Sequence, residues 1–138
     1  MPEVATRPGT ITLLMRLSKS VYRKTPEEML GMRLRQFVVL SYLAEHDGVA
    51  QHELADVLCV DANNLVILLN ELETLGFAER QRDPADRRRH IVVMTDKGRA
   101  AFKRGEKARE HVEDEVLGAL DAEERDALRQ LLAKALAG

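Results

Sequence analysis

The sequence has no tryptophan, few aromatic side chains of any kind (4%) and a single cysteine in 138 residues. So little aromatic surface argues against an aromatic-rich sandwich and against a platform for stacking single-stranded bases. The lone thiol, Cys59, cannot close an internal disulfide, and its expected role is that of a small buried hydrophobe rather than an oxidant sensor. His46, His52, His90 and His111 share no ligand spacing with Cys59, so neither a metal nor a cofactor is expected. The longest purely apolar run, Leu65 to Leu69, is too short to cross a bilayer, and the N-terminus lacks the basic start and apolar core of a signal peptide. A cytoplasmic protein with no membrane partner is expected. Glycine-rich phosphate loops, HExxH, CxxC and nucleophile-elbow patterns are all missing, and carboxylates dispersed on helices normally face solvent, so catalysis is not expected.

What is present is a chain of 45% hydrophobic residues, sufficient for one core without disulfides or a structural metal. The abundance of leucine and alanine favours helix packed on helix, so a mainly α fold is expected. The net charge of −2 conceals a strong asymmetry, because residues 79 to 104 hold nine Lys/Arg against four acids. Local positive charge on an acidic body suits a protein that meets a polyanion with one face.

Apolar residues Ile11, Leu14, Leu17 and Val21 recur at helical steps, preceded by a loose arm over residues 1 to 10. Thr25-Pro26-Glu27-Glu28 reads as a helix start, with Thr25 as its hydroxyl cap. Leu34, Phe37, Val38, Leu40 and Leu43 make a deep helix that ends at His46-Asp47-Gly48. Leu54, Ala55 and Leu58 form one short helix face and Leu65, Leu68, Leu69 and Leu72 another, and the brief link Cys59-Val60-Asp61 between them suggests a helix-turn-helix. Asp61 is its N-cap and Gly76 its stop. Opposite the leucine stripe lie Asn63, Ile67, Asn70 and Thr74, with Val66 and Glu71 at the flanks: a face both polar and apolar, but not basic.

Beyond Gly76, the polar run to Arg82, the turn signal Asp83-Pro84 and the β-branched Ile91-Val92-Val93 predict a two-stranded hairpin, the wing. Thr95 caps a long charged helix reaching about Ala119, and Asp121 opens a last one with the stripe Leu128, Leu131, Leu132 and Ala135, with Leu136 beside it. Met15, Met29, Met32 and Met94 are expected as core fillers.

This order, with ELADVL, LLNELETLGF, RDPADRRRH and MTDKG, resembles the MarR family of bacterial winged-helix transcriptional regulators over roughly residues 11 to 136. The most specific element is DPADRR followed, after a short strand, by a Thr-x-x-Gly helix start. The resemblance implies a homodimer, with a winged helix-turn-helix over about residues 32 to 95 and dimerisation helices over about 11 to 24 and 96 to 137. Each winged unit would take one half-site of a pseudo-palindromic double-stranded operator, the two recognition helices sitting roughly 34 Å apart. It also implies a repressor released by a small aromatic or phenolic effector.

Arginines at a hairpin tip can enter a narrow minor groove, with Arg88 foremost and Arg82, Arg87 and Arg89 as the further wing cations. By family likeness Asp86 would position Arg88. In the major groove Asn63, Asn64 and Asn70 carry the donor and acceptor that match adenine, and Val66 or Ile67 can meet thymine methyls. Asn64 serves equally well as a cap, and Gln51 and His52 are weaker phosphate candidates at a helix start. The chain departs from the family pattern at Ile67, where many members carry arginine, and residues 61 to 75 hold three acids and no base. That departure leaves a second reading open: a helical protein-binding module acting on another regulator.

Overall fold

A computed structural model describes residues 7–138, so most of the arm assigned to residues 1 to 10 lies outside the described residues. The elements are α1 (Thr10–Lys24), α2 (Glu27–Leu30), α3 (Leu34–Ala44), β1 (Val49–Ala50), α4 (Gln51–Val57), α5 (Ala62–Leu75), β2 (Ala78–Arg82), β3 (His90–Met94), α6 (Asp96–Val116) and α7 (Ala122–Ala137). The protein is mainly α with a small antiparallel sheet, and it divides into two compact units. One comprises the chain up to Thr25 with Arg109–Gly138, and the other Pro26–Ala108.

In the second unit, Phe37, Leu40 and Leu43 of α3 and Leu65, Leu68, Leu69 and Leu72 of α5 pack around one core with Leu54 of α4 and Val92 of β3, all buried. Burial on this scale stabilises by roughly 1.5–3 kcal/mol per large side chain. Val38, expected in the buried stripe of α3, is 43% exposed, while Val39 is buried. At 100° per residue, Val38 falls opposite the arc formed by Gln36, Val39, Leu40 and Leu43. Met32 is buried as expected, but Met29 is exposed, as is Met15 in the other unit. Both lie on the solvent side of short or uncovered helices, so only some of the methionines fill gaps.

The wing is one strand larger than the expected hairpin. Strand order is β1-β3-β2, with Val49 opposite Val92 and Arg82 opposite His90. Two residues cannot display a period, which is why β1 leaves no mark on the sequence pattern. The exit into α6 is tight: Thr95 Oγ1 accepts from Gly98 N at 3.0 Å and donates to Gly76 O at 2.6 Å. A Cβ on Gly98 would lie 2.0 Å from the Phe77 carbonyl oxygen, so this position admits only glycine without rearrangement.

In the first unit, Thr25 does not open α2. Its hydroxyl donates to Val21 O at 2.6 Å and closes α1, leaving Pro26 as the uncapped start of a single turn. A threonine hydroxyl can bond backward to a carbonyl or forward to an amide, and here the i−4 carbonyl wins. The α6–α7 turn is braced by Arg125, whose Nε donates to the carbonyls of Leu117 and Leu120 at 3.2 Å each. Asp121 and Glu124 then form a reciprocal capping box at the start of α7.

Candidate nucleic-acid interface

The helix-turn-helix link is built from backbone hydrogen bonds. Val60 N donates to Ala55 O at 3.0 Å and Cys59 N to Asp56 O at 3.2 Å, the paired bonds of a left-handed helix stop. α5 ends in the same way, with Phe77 N on Leu72 O and Gly76 N on Glu73 O. Gly76 takes the left-handed residue there at φ 77, whereas in the first stop Cys59 holds φ 53. Cys59 is therefore exposed rather than buried, because the stop swings its side chain away from the core. Asp61 then caps α5 as expected, accepting from Asn63 N at 3.0 Å.

With Asp61 in that role, the Asn63 and Asn64 side chains stand exposed on the first turn of α5, followed along the same face by Val66, Ile67 and Asn70. The three acids of this helix are all engaged. Asp61 is spent on the cap, and Glu71 accepts from Arg33 Nη1 and Gln36 Nε2, both at 3.0 Å. Glu73 is paired with Arg80 of β2, whose guanidinium also donates to Asn70 Oδ1. Two of the three formal negative charges of this helix are thus compensated by guanidinium groups. Arg33, Gln36 and Arg80 have no place in the sequence reading. The only signal for them was the unmatched acid count on α5, which implied partners without naming them.

At the wing tip the loop is pinned by Asp83 N to Arg89 O and Arg89 N to Asp86 O, both at 3.0 Å. Asp83 Oδ1 accepts from Ala85 N, and Arg82 Nη1 donates to Arg87 O at 2.7 Å, so Arg82 braces the loop from its stem. Asp86 Oδ1 accepts from Arg88 N at 3.1 Å and faces Arg88 Nε at 3.4 Å. The Arg88 side chain is nevertheless 92% exposed. So open a pair adds little stability, but it fixes the direction in which the side chain leaves the loop.

A groove of about 330 Å³ draws several of these groups together: Gln51 and His52 from α4, Asn63 and Val66 from α5, Arg88 and Arg89 from the wing. Ile67 and Asn70 lie instead on a second groove of about 490 Å³ with Arg33, Gln36 and Glu71. Asn64 lines neither. The Oε1 of Gln51 is buried and accepts no hydrogen bond in the structure. No helix among the described residues is long and apolar enough to cross a membrane.

Comparison with known proteins gives this geometry a context. The sequence model of the MarR family matches residues 30–89, from α2 to the wing tip. The chain is similar to the HTH-type transcriptional regulator YdgJ of Bacillus subtilis (strain 168), 31% identical over 108 residues, covering 78% of this chain and 66% of that protein, just under two thirds. It is 30% identical over 99 residues to the transcriptional regulator HosA of Escherichia coli O111:H-, covering 72% of this chain and 73% of HosA. Among solved structures it is similar to the transcriptional repressor CouR bound to a 23-mer DNA duplex, with 34% identity, a TM-score of 0.79 and 92% of each chain covered. These relatives are regulators rather than enzymes, and the chain itself belongs to the MarR family of winged helix-turn-helix transcriptional regulators.

Proposed function

We propose that this regulator is a cytoplasmic homodimeric repressor. Its winged units each read one half-site of a pseudo-palindromic operator, and a small aromatic or phenolic effector releases it. The observation that carries the reading is the groove shared by the start of α4, the start of α5 and the wing tip. A recognition helix in the major groove and a cationic prong toward the neighbouring minor groove need those three elements side by side. In this reading Asn63, Asn64, Val66, Ile67 and Asn70 meet base edges, and Arg88 inserts from the wing, positioned by Asp86. Arg82, Arg87 and Arg89 hold the loop and phosphates, with Gln51 and His52 as further phosphate contacts.

Dimerisation by α1, the later part of α6 and α7 is supported by apolar side chains left uncovered in the single chain. Ile11 is 73% exposed, Leu131 64% and Leu136 78%, and neither α1 nor α7 buries a single residue. Apolar stripes of this length belong against another copy. Against the rival reading, a module that binds another regulator through a non-basic helix, stands the open Arg88 at the wing tip, and two of the three acids of α5 are already paired with arginines.

The decisive experiment is a fluorescence anisotropy titration with fragments from upstream of the regulator's own gene, across a range of salt and with candidate phenolic acids added. Arg88→Ala should weaken binding and flatten log K against log salt by about 0.9 if one phosphate contact is lost. Unchanged affinity and slope would refute the wing assignment. A monomer that ignores every genomic fragment in dilute buffer would refute the whole reading.

A further inference from the structure

The amides on the exposed face of α5 are not equivalent. Asn63 and Asn64 stand on the first turn, whereas Asn70 is gripped from the strand below it. The Arg80 guanidinium donates to Asn70 Oδ1 and, through Nε, to Glu73 Oε1. Because a guanidinium has donors and no acceptor, only the carbonyl oxygen of the Asn70 amide can face it, and the NH₂ group must point away. The Arg80 side chain is only 25% exposed, and it is anchored by the charged Glu73 rather than by the neutral amide alone. Freeing Asn70 to turn would leave Arg80 with only one of its two partners.

We propose that Arg80 is a specificity-determining positioning residue: by holding Asn70 Oδ1 toward the strand it turns the amide's NH₂ outward, which selects guanine at one base pair of the half-site. This rests on reading α5 as the recognition helix. A free asparagine matches adenine by accepting from N6 and donating to N7. With its oxygen turned onto Arg80 of the strand, the Asn70 amide presents its NH₂ group outward and meets a base edge as a donor. Guanine offers two adjacent acceptors, N7 and O6, to that NH₂, while the N6 amine of adenine would meet a donor, the amide oxygen being turned toward β2. Thymine offers a single acceptor, O4, and ranks between them. The clamp therefore inverts the preference that the residue type alone implies.

The test is a competition titration with the full-length protein against operators carrying each base at every position of the half-site, repeated for Asn70→Ala, Arg80→Ala and Arg80→Lys. The base pair at which Asn70→Ala loses discrimination should hold guanine, preferred over adenine by about fivefold or more in the unmodified protein. Both Arg80 variants should move that preference toward adenine and leave the other positions unaltered. Arg80→Lys keeps the strand's charge but lacks the fork that reaches two partners, so it carries the test if Arg80→Ala fails to fold. Adenine preferred at that position in the unmodified protein overturns the proposal. So does a guanine preference that survives both Arg80 variants, or the absence of any base pair dependent on Asn70. Failure of the unmodified protein to bind any DNA would instead overturn the recognition-helix reading itself, and this inference with it.

Discussion

Replacing Gly98 with alanine tests the packing that joins the wing to α6. The new Cβ would lie 2.0 Å from Phe77 O, 2.8 Å from Phe77 C and 3.0 Å from Met94 Cγ. Ordinary contact begins near 3.4 Å, so the start of α6 must withdraw from Phe77 by more than an ångström. The carbonyl cannot yield instead, because it accepts from Thr95 N at 3.1 Å and the Phe77 ring is buried in the core. Withdrawal breaks that bond and the one from Thr95 Oγ1 to Gly76 O, at about 1 kcal/mol each. Strain from overpacking adds about 1–3 kcal/mol. Alanine's better helix propensity returns about 1 kcal/mol. The expected net loss is about 2–4 kcal/mol, or roughly 8–16 °C in melting temperature for a chain of this size. The assay is thermal unfolding by circular dichroism at one protein concentration, since the midpoint of a dimer moves with concentration. A Gly98→Ala protein that melts with the unmodified chain, or above it, would refute the close approach of α6 to Phe77.

Asp61→Ala removes the α5 cap and should cost about 1 kcal/mol in urea unfolding, with an unchanged m-value. Leu131→Glu combined with Leu136→Glu should shift sedimentation from dimer to monomer with helix content retained; a persistent dimer would put the interface elsewhere. Arg33→Ala leaves Glu71 held by Gln36 alone and should weaken DNA affinity by on the order of twofold at low salt, an effect that vanishes as salt screens it. No salt-sensitive change would mean that the Glu71 charge is not felt at the interface.

How much of this was legible in the sequence follows from the range of each interaction. Caps are local: Asp61 with Asn63, Thr95 with Gly98 and Asp121 with Glu124 act over two or three residues. Their positions could therefore be read directly, and helix periods located most of the core. Thr25 misled because its hydroxyl has a choice of backbone partners, and the sequence does not say which it takes. Cys59 misled because burial was argued from residue type, while a left-handed helix stop set its exposure. Pairings that cross the fold left no trace beyond the unmatched acids of α5. Arg33 lies 38 positions from Glu71 and Arg80 ten from Asn70, and nothing periodic connects such residues. The wing was legible as a hairpin because turn residues and a β-branched run stand together. Its third strand was not, because β1 is only two residues long.

The same long-range pairs resolve the oddity of an acidic recognition helix. Partners from three directions engage its carboxylates: the helix's own first turn for Asp61, Arg33 and Gln36 at the start of α3 for Glu71, and Arg80 of β2 for Glu73. Arg33 and Arg80 neutralise Glu71 and Glu73 at short range while Asp61 keeps its charge on the cap, so in the proposed reading α5 approaches a phosphate-lined groove with less repulsion than its acid count implies. They do not make it attractive. Arg33 and Arg80 both point donors at protein acceptors, and Arg82 is turned onto the Arg87 carbonyl, so three of the nearby cations serve the fold first. Arg88, held at its base by Asp86 but open along its length, is oriented differently. In the proposed reading this sets a sharp division of labour: α5 contributes hydrogen-bonding selectivity with little charge, while the wing contributes charge with little selectivity. Substitutions on α5 should therefore change which sequence is preferred while hardly altering the salt slope, and substitutions at the wing tip should change the slope while hardly altering the preference.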